Sequence, residues 1–236
     1  MRDLSLFRYY TLYAAGHLPI VSYESHRYIV PVLWLAHQRR LFDTSLDIVY
    51  FDSHPDALEP DDISGMAGHF RQLDDFDDVF DFVSKRFSVC NDDWLKFLMN
   101  TGYVNNALLI GGEKDIPEIF SVPYVDIHGR SHNIRRVGSL QDLNIHDLPG
   151  KIFLDFDLDY FTYKHEKAIY PWAEDTFLCE FSDSKLTGLL EKTEFVTVAR
   201  ESMFCGGHQS CQQIWNSFKE TVTISLNAQP LQRIPI

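Results

Sequence analysis

The chain has 236 residues, of which 45% are hydrophobic and 23% charged, values of a globular domain with a sizeable core rather than of a disordered chain. Its 21 Lys and Arg stand against 34 Asp and Glu, a formal charge of −13. That balance argues against nucleic acid and anionic membrane surfaces as partners, and suits a cationic substrate or bound metal ions.

From the N-terminus, MRDLSLFRYYTLYAAG is interrupted by Asp3 and Arg8, so no signal-peptide core forms. The longest apolar run, Tyr28 to Ala36, falls far short of the roughly 20 residues of a membrane span. Cys90, Cys179, Cys205 and Cys211 are scattered and form no Cys-x-x-Cys pair, which excludes a disulfide framework and a zinc ribbon. A reduced, cytoplasmic protein is expected.

Strand-like runs are predicted at Leu18–Tyr23, Asp47–Phe51, Ala107–Ile110, Val122–Ile127, Lys151–Phe156 and Phe195–Ala199. Helical spacing covers about Pro31 to Leu41. It returns from His69 to Phe87, where Phe70, Leu73, Phe76, Phe80, Val83 and Phe87 recur three or four apart and five aspartates occupy the other face. A further helix opens after the N-cap candidate Asn91 and closes at Gly102, and the last two begin near Ser182 and His208. Strands alternating with helices predict one α/β domain over residues 1–236, with a mainly parallel sheet covered on both faces. Ligands of such sheets sit outside the carboxyl ends of the strands.

Carboxylates and imidazoles gather at those ends. The run DIVYFDSHPD leads a strand into Asp52, His54 and Asp56, whose alternation puts all three on one side while the chain stays extended. In KIFLDFDLDYF, Asp155, Asp157 and Asp159 alternate in the same way. Several neighbouring buried carboxylates need a cation to neutralise them, and a mixed carboxylate and imidazole set suits Mn²⁺, Fe²⁺ or Zn²⁺. An aspartate from each strand could bridge two ions about 3.5–4 Å apart, the spacing that activates a water between them. Asp159 stands either as an acceptor behind the ligands or as the cap of the following turn.

FDSHPD followed by FLDFDLD resembles the ureohydrolase branch of the arginase/deacetylase superfamily, and is closest to the peptide arginases of ribosomal-peptide (RiPP) biosynthesis. The resemblance spans about residues 20 to 205 and is concentrated in these motifs. It implies a three-layer αβα sandwich, two Mn²⁺ per chain, and hydrolysis of a guanidinium group. By this resemblance the metal ligands are His26, Asp52, His54, Asp56, Asp155 and Asp157. Asp52 and Asp155 would bridge, His26 and Asp56 would complete one site, and His54 and Asp157 the other. Glu201, in FVTVARESM, would hold the guanidinium, and His69, thirteen positions after Asp56, would relay protons, with His128 and His208 as alternatives.

The expected activity is conversion of arginine in a precursor peptide to ornithine, with release of urea. The acidic loop Ala57-Leu58-Glu59-Pro60-Asp61-Asp62 would favour a peptide substrate, because Glu59, Asp61 and Asp62 repel a free α-carboxylate. Agmatine or another free guanidine, a single-zinc deacetylase, and a non-catalytic metal-binding interaction module are the other readings.

Overall fold

The computed structural model describes residues 10–15, 18–42, 45–112, 120–181, 184–225 and 232–233. An eight-stranded sheet runs in the order β12-β1-β2-β11-β8-β3-β4-β7. Its strands are β1 (Thr11–Ala15), β2 (Leu18–Tyr23), β3 (Leu46–Asp52), β4 (Val104–Gly111), β7 (Ile134–Val137), β8 (Ile152–Asp157), β11 (Thr193–Ala199) and β12 (Gln232–Arg233). From β2 across to β7 every pairing is parallel, whereas β1 pairs antiparallel with both β2 and β12. Two short hairpins lie apart from this sheet: β5 (Tyr124–Val125) with β6 (Ser131–His132), and β9 (Thr162–His165) with β10 (Ala168–Pro171).

Helices cover both faces. On one lie α1 (Ile29–Gln38), α2 (Ile63–Phe70), α3 (Phe76–Arg86) and α4 (Trp94–Thr101). On the other lie α5 (Glu174–Phe181), α6 (Ser184–Glu191) and α7 (His208–Ser225). Strand alternation divides the core between the two faces. Ile48 and Tyr50 of β3 and Phe153 of β8 join the first helix layer, while Val49, Phe51, Leu154 and Phe156 join the second. Phe51 and Phe156 stack at 4.6 Å across the β3–β8 pair. No helix among the described residues is long and apolar enough to cross a membrane.

Several predicted elements differ in the fold. The helix expected over His69–Phe87 is two helices, because the Asp75 side chain accepts a hydrogen bond from Asp77 N (2.7 Å) and so starts α3 afresh. Val122–Ile127 supplies only the two-residue β5, in a hairpin tied by Asp126, which accepts from the backbone of both His128 and Arg130. The residue at the N-cap of α4 is Asp93, not Asn91, which sits in the left-handed region at φ 60°. The helix start expected at Ser182 lies outside the described residues. The antiparallel strands and α5 carry no strong periodic signal, since their short segments mix polar and apolar residues.

The connections place a reversal between β3 and β8: from β3 the chain continues outward to β4, and from β8 it continues the other way to β11. Crevices at such reversals, outside the strands' carboxyl ends, are where α/β sheets bind ligands. Asp52 ends β3 and Asp157 ends β8, one on each side of this crevice.

Candidate metal centre

Four adjacent strands, β2, β11, β8 and β3, deliver the site. The chain leaving β2 enters a 3₁₀ turn at His26–Tyr28, which buries His26 completely. Its ring packs on Trp94 of α4, with centroids 4.8 Å apart. The two imidazole nitrogens face different neighbours. Nε2 lies 2.7 Å from Asp155 Oδ2, while Nδ1 lies 2.9 Å from Asp56 Oδ2, 3.2 Å from Asp157 Oδ2 and 3.3 Å from Asp52 Oδ2.

Among the described residues, two groups of side chains converge closely enough to hold a metal ion: His26, Asp52 and Asp56, and Asp52, His54 and Asp159. Asp52 belongs to both. A metal fits here on the state of the donors themselves: His26 Nδ1 and Asp52 Oδ2 are buried and, although acids lie within 3.3 Å of Nδ1, neither atom meets a partner in hydrogen-bond geometry. Burial, then the charges of Asp56 and Asp159, pushes the Asp52 carboxyl well above the usual carboxylate range. Burial also raises Asp56, and with the Asp159 charge pushes Asp157 up to about 7. Burial disfavours charge on His26, yet Asp155 foremost, with Asp157 and Asp52, holds its pKa well above the ordinary value. His54 is raised to about 9, chiefly by its hydrogen bond to Asp159, whose Oδ2 lies 2.9 Å from its Nδ1. Burying so many acids together disfavours their charged forms, and a bound cation would relieve that cost.

The second motif enters the cluster two residues later than the sequence suggested. Asp155 points to the same side of β8 but lies deeper, level with Thr197 of β11 and Tyr50 of β3. Its Oδ1 accepts hydrogen bonds from Tyr23 Oη (3.1 Å) and Thr197 Oγ1, and its Oδ2 is taken by His26. Asp155 therefore stands behind His26 and holds the imidazole so that Nδ1 faces the acids, and it belongs to neither of the two groups that could hold an ion. Asp157 approaches His26 Nδ1, and Asp159 takes the place beside His54. The Asp159 backbone N–H donates to Asp157 Oδ1 (3.0 Å), which turns the chain sharply enough to keep both acids in the pocket. Its carboxylate also accepts from Ser53 N (3.2 Å), joining the ends of β3 and β8.

The first loop is held just as firmly. His54 N donates to Asp52 Oδ1 (2.7 Å), Tyr50 Oη to Pro55 O (2.7 Å), and Trp94 Nε1 to Asp56 Oδ2 (2.7 Å). Asp56 has φ 45°, a left-handed conformation that turns its carboxylate inward. At Gly111 (φ 103°) a Cβ would come 2.7 Å from the Asp52 carbonyl oxygen, so glycine lets β4 end tight against the site.

Glu201 lies two residues beyond β11 and is 6% exposed. Its Oε1 accepts from His26 N and from Asn91 Nδ2, both at 2.5 Å, and Asn91 Oδ1 in turn accepts from Ser25 Oγ (2.7 Å). Burial, then the Asp157 charge, pushes Glu201 up to about 9. A cavity of about 300 Å³ opens beside it, with Asp56, Asp92, Asp157, His54 and Phe204 among its walls.

The remaining sequence candidates lie elsewhere. His69 is exposed on α2, edge-on to Phe82, because that helix buries the Ile63, Met66, Ala67 and Phe70 face. His128 is exposed, with Nε2 2.6 Å from Arg71, and His208 lines a separate groove on α7. Glu59, Asp61 and Asp62 are exposed and outside the cavity wall; Asp62 instead accepts from Gly65 N (3.1 Å) to cap α2. Sequence reasoning missed Asn91, Trp94, Tyr23 and Thr197 as supports of the site. Only contacts across 38 to 132 residues of chain give them that role. No protein-family model matches this chain, and no curated protein matches it either.

Proposed function

We propose that the protein is a two-manganese hydrolase of guanidino groups, converting arginine in a precursor peptide to ornithine and urea in the cytoplasm, as the resemblance to peptide arginases implies. The observation that carries the reading is the pair of ligand groups sharing Asp52, with a buried carboxyl, Glu201, beside them on a cavity. His26 Nδ1, Asp52, Asp56 and Asp157 would hold one ion, and Asp52, His54 and Asp159 the other. When bound, such a pair supplies Lewis acidity and an activated water near neutral pH.

The chain's own groups do the rest. Both donors to Glu201 converge on Oε1, which leaves Oε2 to accept from an incoming guanidinium. The proton that burial holds on Glu201 is released as that cation arrives, since an opposite charge at contact favours the ionised form. Fixing the guanidinium between Glu201 and the metal ligands orients its carbon for attack, a gain in proximity rather than in reactivity. The dry pocket strengthens each of these contacts.

Preference for peptide-bound arginine no longer rests on the exposed acidic loop. It rests on the cavity wall, where, among the described residues, Asp56, Asp92, Asp157 and Glu201 are joined by no Lys or Arg. Apart from the ligand set itself, a free α-carboxylate would meet only like charges on that wall, and an arginine inside a peptide carries no such carboxylate. The same wall favours one second reading: Asp92 could pair with the ammonium of agmatine. Mass spectrometry of an internal-arginine peptide, free arginine and agmatine, each incubated with Mn²⁺-loaded protein, separates these. The expected result is loss of CN₂H₂ from the peptide with matching urea. Faster turnover of free arginine would end the peptide reading, and metal binding without any mass change would leave a non-catalytic metal module. Glu201→Gln should keep both ions and lose roughly 10²-fold or more in kcat/KM, as removal of a buried charged partner does.

A further inference from the structure

A second cavity, of about 420 Å³, lies on the other side of His54 and Phe204, which line both spaces. The two rings meet edge to face at 6.1 Å and so form the wall between them. Tyr160, Tyr163 and Ile169 complete much of the second cavity, with Lys164 also on its wall. Several of its polar groups are already engaged: Ser53 Oγ and Thr162 Oγ1 both donate to Asp159 O, Tyr160 Oη donates to Glu180, the carbonyls of Gly111 and Gly112 accept from Arg136, and the Asp159 carboxylate, which also lines the cavity, lies 2.9 Å from His54 Nδ1. What remains for a ligand is largely the aromatic and apolar surface of Tyr160, Tyr163, Ile169 and Phe204, beside the exposed Lys164. Tyr163 is half exposed and stacks on Tyr170 across the β9–β10 hairpin, with centroids 5.7 Å apart. That hairpin abuts the turn carrying Phe204, since a Cβ on Gly206 would come 2.5 Å from Ile169 O.

We propose that this second cavity is a specificity subsite for an aromatic side chain on the residue next to the reacting arginine. The proposal rests on the guanidine-hydrolase reading and adds the identity of the neighbour. The charged cavity takes the cation, and the chain passes Phe204 to place the adjacent side chain among Tyr160, Tyr163 and Ile169. The space is ample, since a cavity of about 150 Å³ already admits benzene. Offset or edge-to-face contact with two tyrosines and a phenylalanine selects a ring over an aliphatic chain.

The test measures, by calorimetry on Mn²⁺-loaded protein, the affinity of capped Gly-Arg-Gly, Phe-Arg-Gly and Gly-Arg-Phe, with urea assayed in the same samples. One phenylalanine peptide should bind about tenfold or more tightly than Gly-Arg-Gly, the scale expected for burying one such ring. Tyr163→Ala should erase that ratio and Tyr163→Phe should keep it; the position is exposed, so neither change threatens folding. Equal affinity for the three peptides, no binding of any, or a preference that survives Tyr163→Ala overturns the subsite. Ring-dependent binding without urea would instead sink the hydrolase reading and leave the subsite standing.

Discussion

Two aspartate-rich stretches of this chain meet opposite fates. In DDFDDVFD the acids flank the apolar positions of α3: Asp75 caps the helix, Asp77 and Asp78 sit in its first turn, and Asp81 pairs in solvent with Lys85 at 2.6 Å. In DFDLD the acids alternate from β8 into the turn just beyond it, and strand and turn together carry them into a pocket where Asp155, Asp157 and Asp159 are at most 3% exposed. Residue type and local density are alike, but the period differs. A period near 3.6 leaves a face for water, whereas a period of 2 at a strand's carboxyl end stacks like charges in the interior. The first arrangement satisfies itself, and the second contributes to groups that could hold a metal ion.

The sharpest way to break this contrast is at the shared ligand. Asp52→Ala should abolish stoichiometric Mn²⁺ binding, read by elemental analysis after desalting, together with all guanidine hydrolysis. Full metal occupancy in that variant would end the two-group assignment. Asp155→Asn separates a ligand from a support: it should weaken metal affinity by about 10–100-fold, as loss of an outer partner does, without abolishing binding. Loss as complete as in Asp52→Ala would return Asp155 to the bridging role.

The metal-free protein tests the electrostatics. Asp157 (up to about 7) and Glu201 (up to about 9) hold protons in the fold that they lose in the unfolded chain at lower pH. The folded state thus binds more protons than the unfolded one between about pH 4 and 9, and stability falls as pH rises through that window. His54, raised to about 9, acts in the same direction: its contribution is full below about pH 6.5 and is lost as pH rises through 9. Melting of the metal-free protein should therefore shift to lower temperature from pH 5 to pH 9, while stabilisation by Mn²⁺ grows, because the ion competes with those protons. A flat profile would mean that the carboxylates are solvated. The smallest effect belongs to the other stretch, where Asp81→Ala should cost less than about 0.5 kcal/mol in denaturant unfolding, as exposed i,i+4 pairs do.

Much of this site was legible in the sequence. An apolar strand running into Asp52, His54 and Asp56 shows both the strand and the side chains gathered at its end, because alternation is a local property. The parallel sheet covered on both faces follows from the same pattern of apolar runs. Legibility failed where a residue's role depends on depth. Asp155, Asp157 and Asp159 are equivalent by period, so sequence alone offers two frames for the ligand pair. Position against Thr197 and Tyr50 sets them apart: Asp155 is level with neighbouring strands and spends its oxygens on Tyr23, Thr197 and His26, while Asp157 ends the strand and Asp159 lies in the turn beyond it. His69 failed for a related reason, since spacing along the chain does not say which face of α2 turns inward.

Composition, charge and strand period by themselves determined the α/β class and the acid-rich strand ends, because each follows from a few neighbouring residues. Only the tertiary structure decided which acids meet, which one supports His26, and that Asn91 and Trp94 hold Glu201 and Asp56 in place. Those outcomes turn on distances between strands and loops far apart in sequence, and a carboxylate becomes a ligand or a support according to the donors that reach it first.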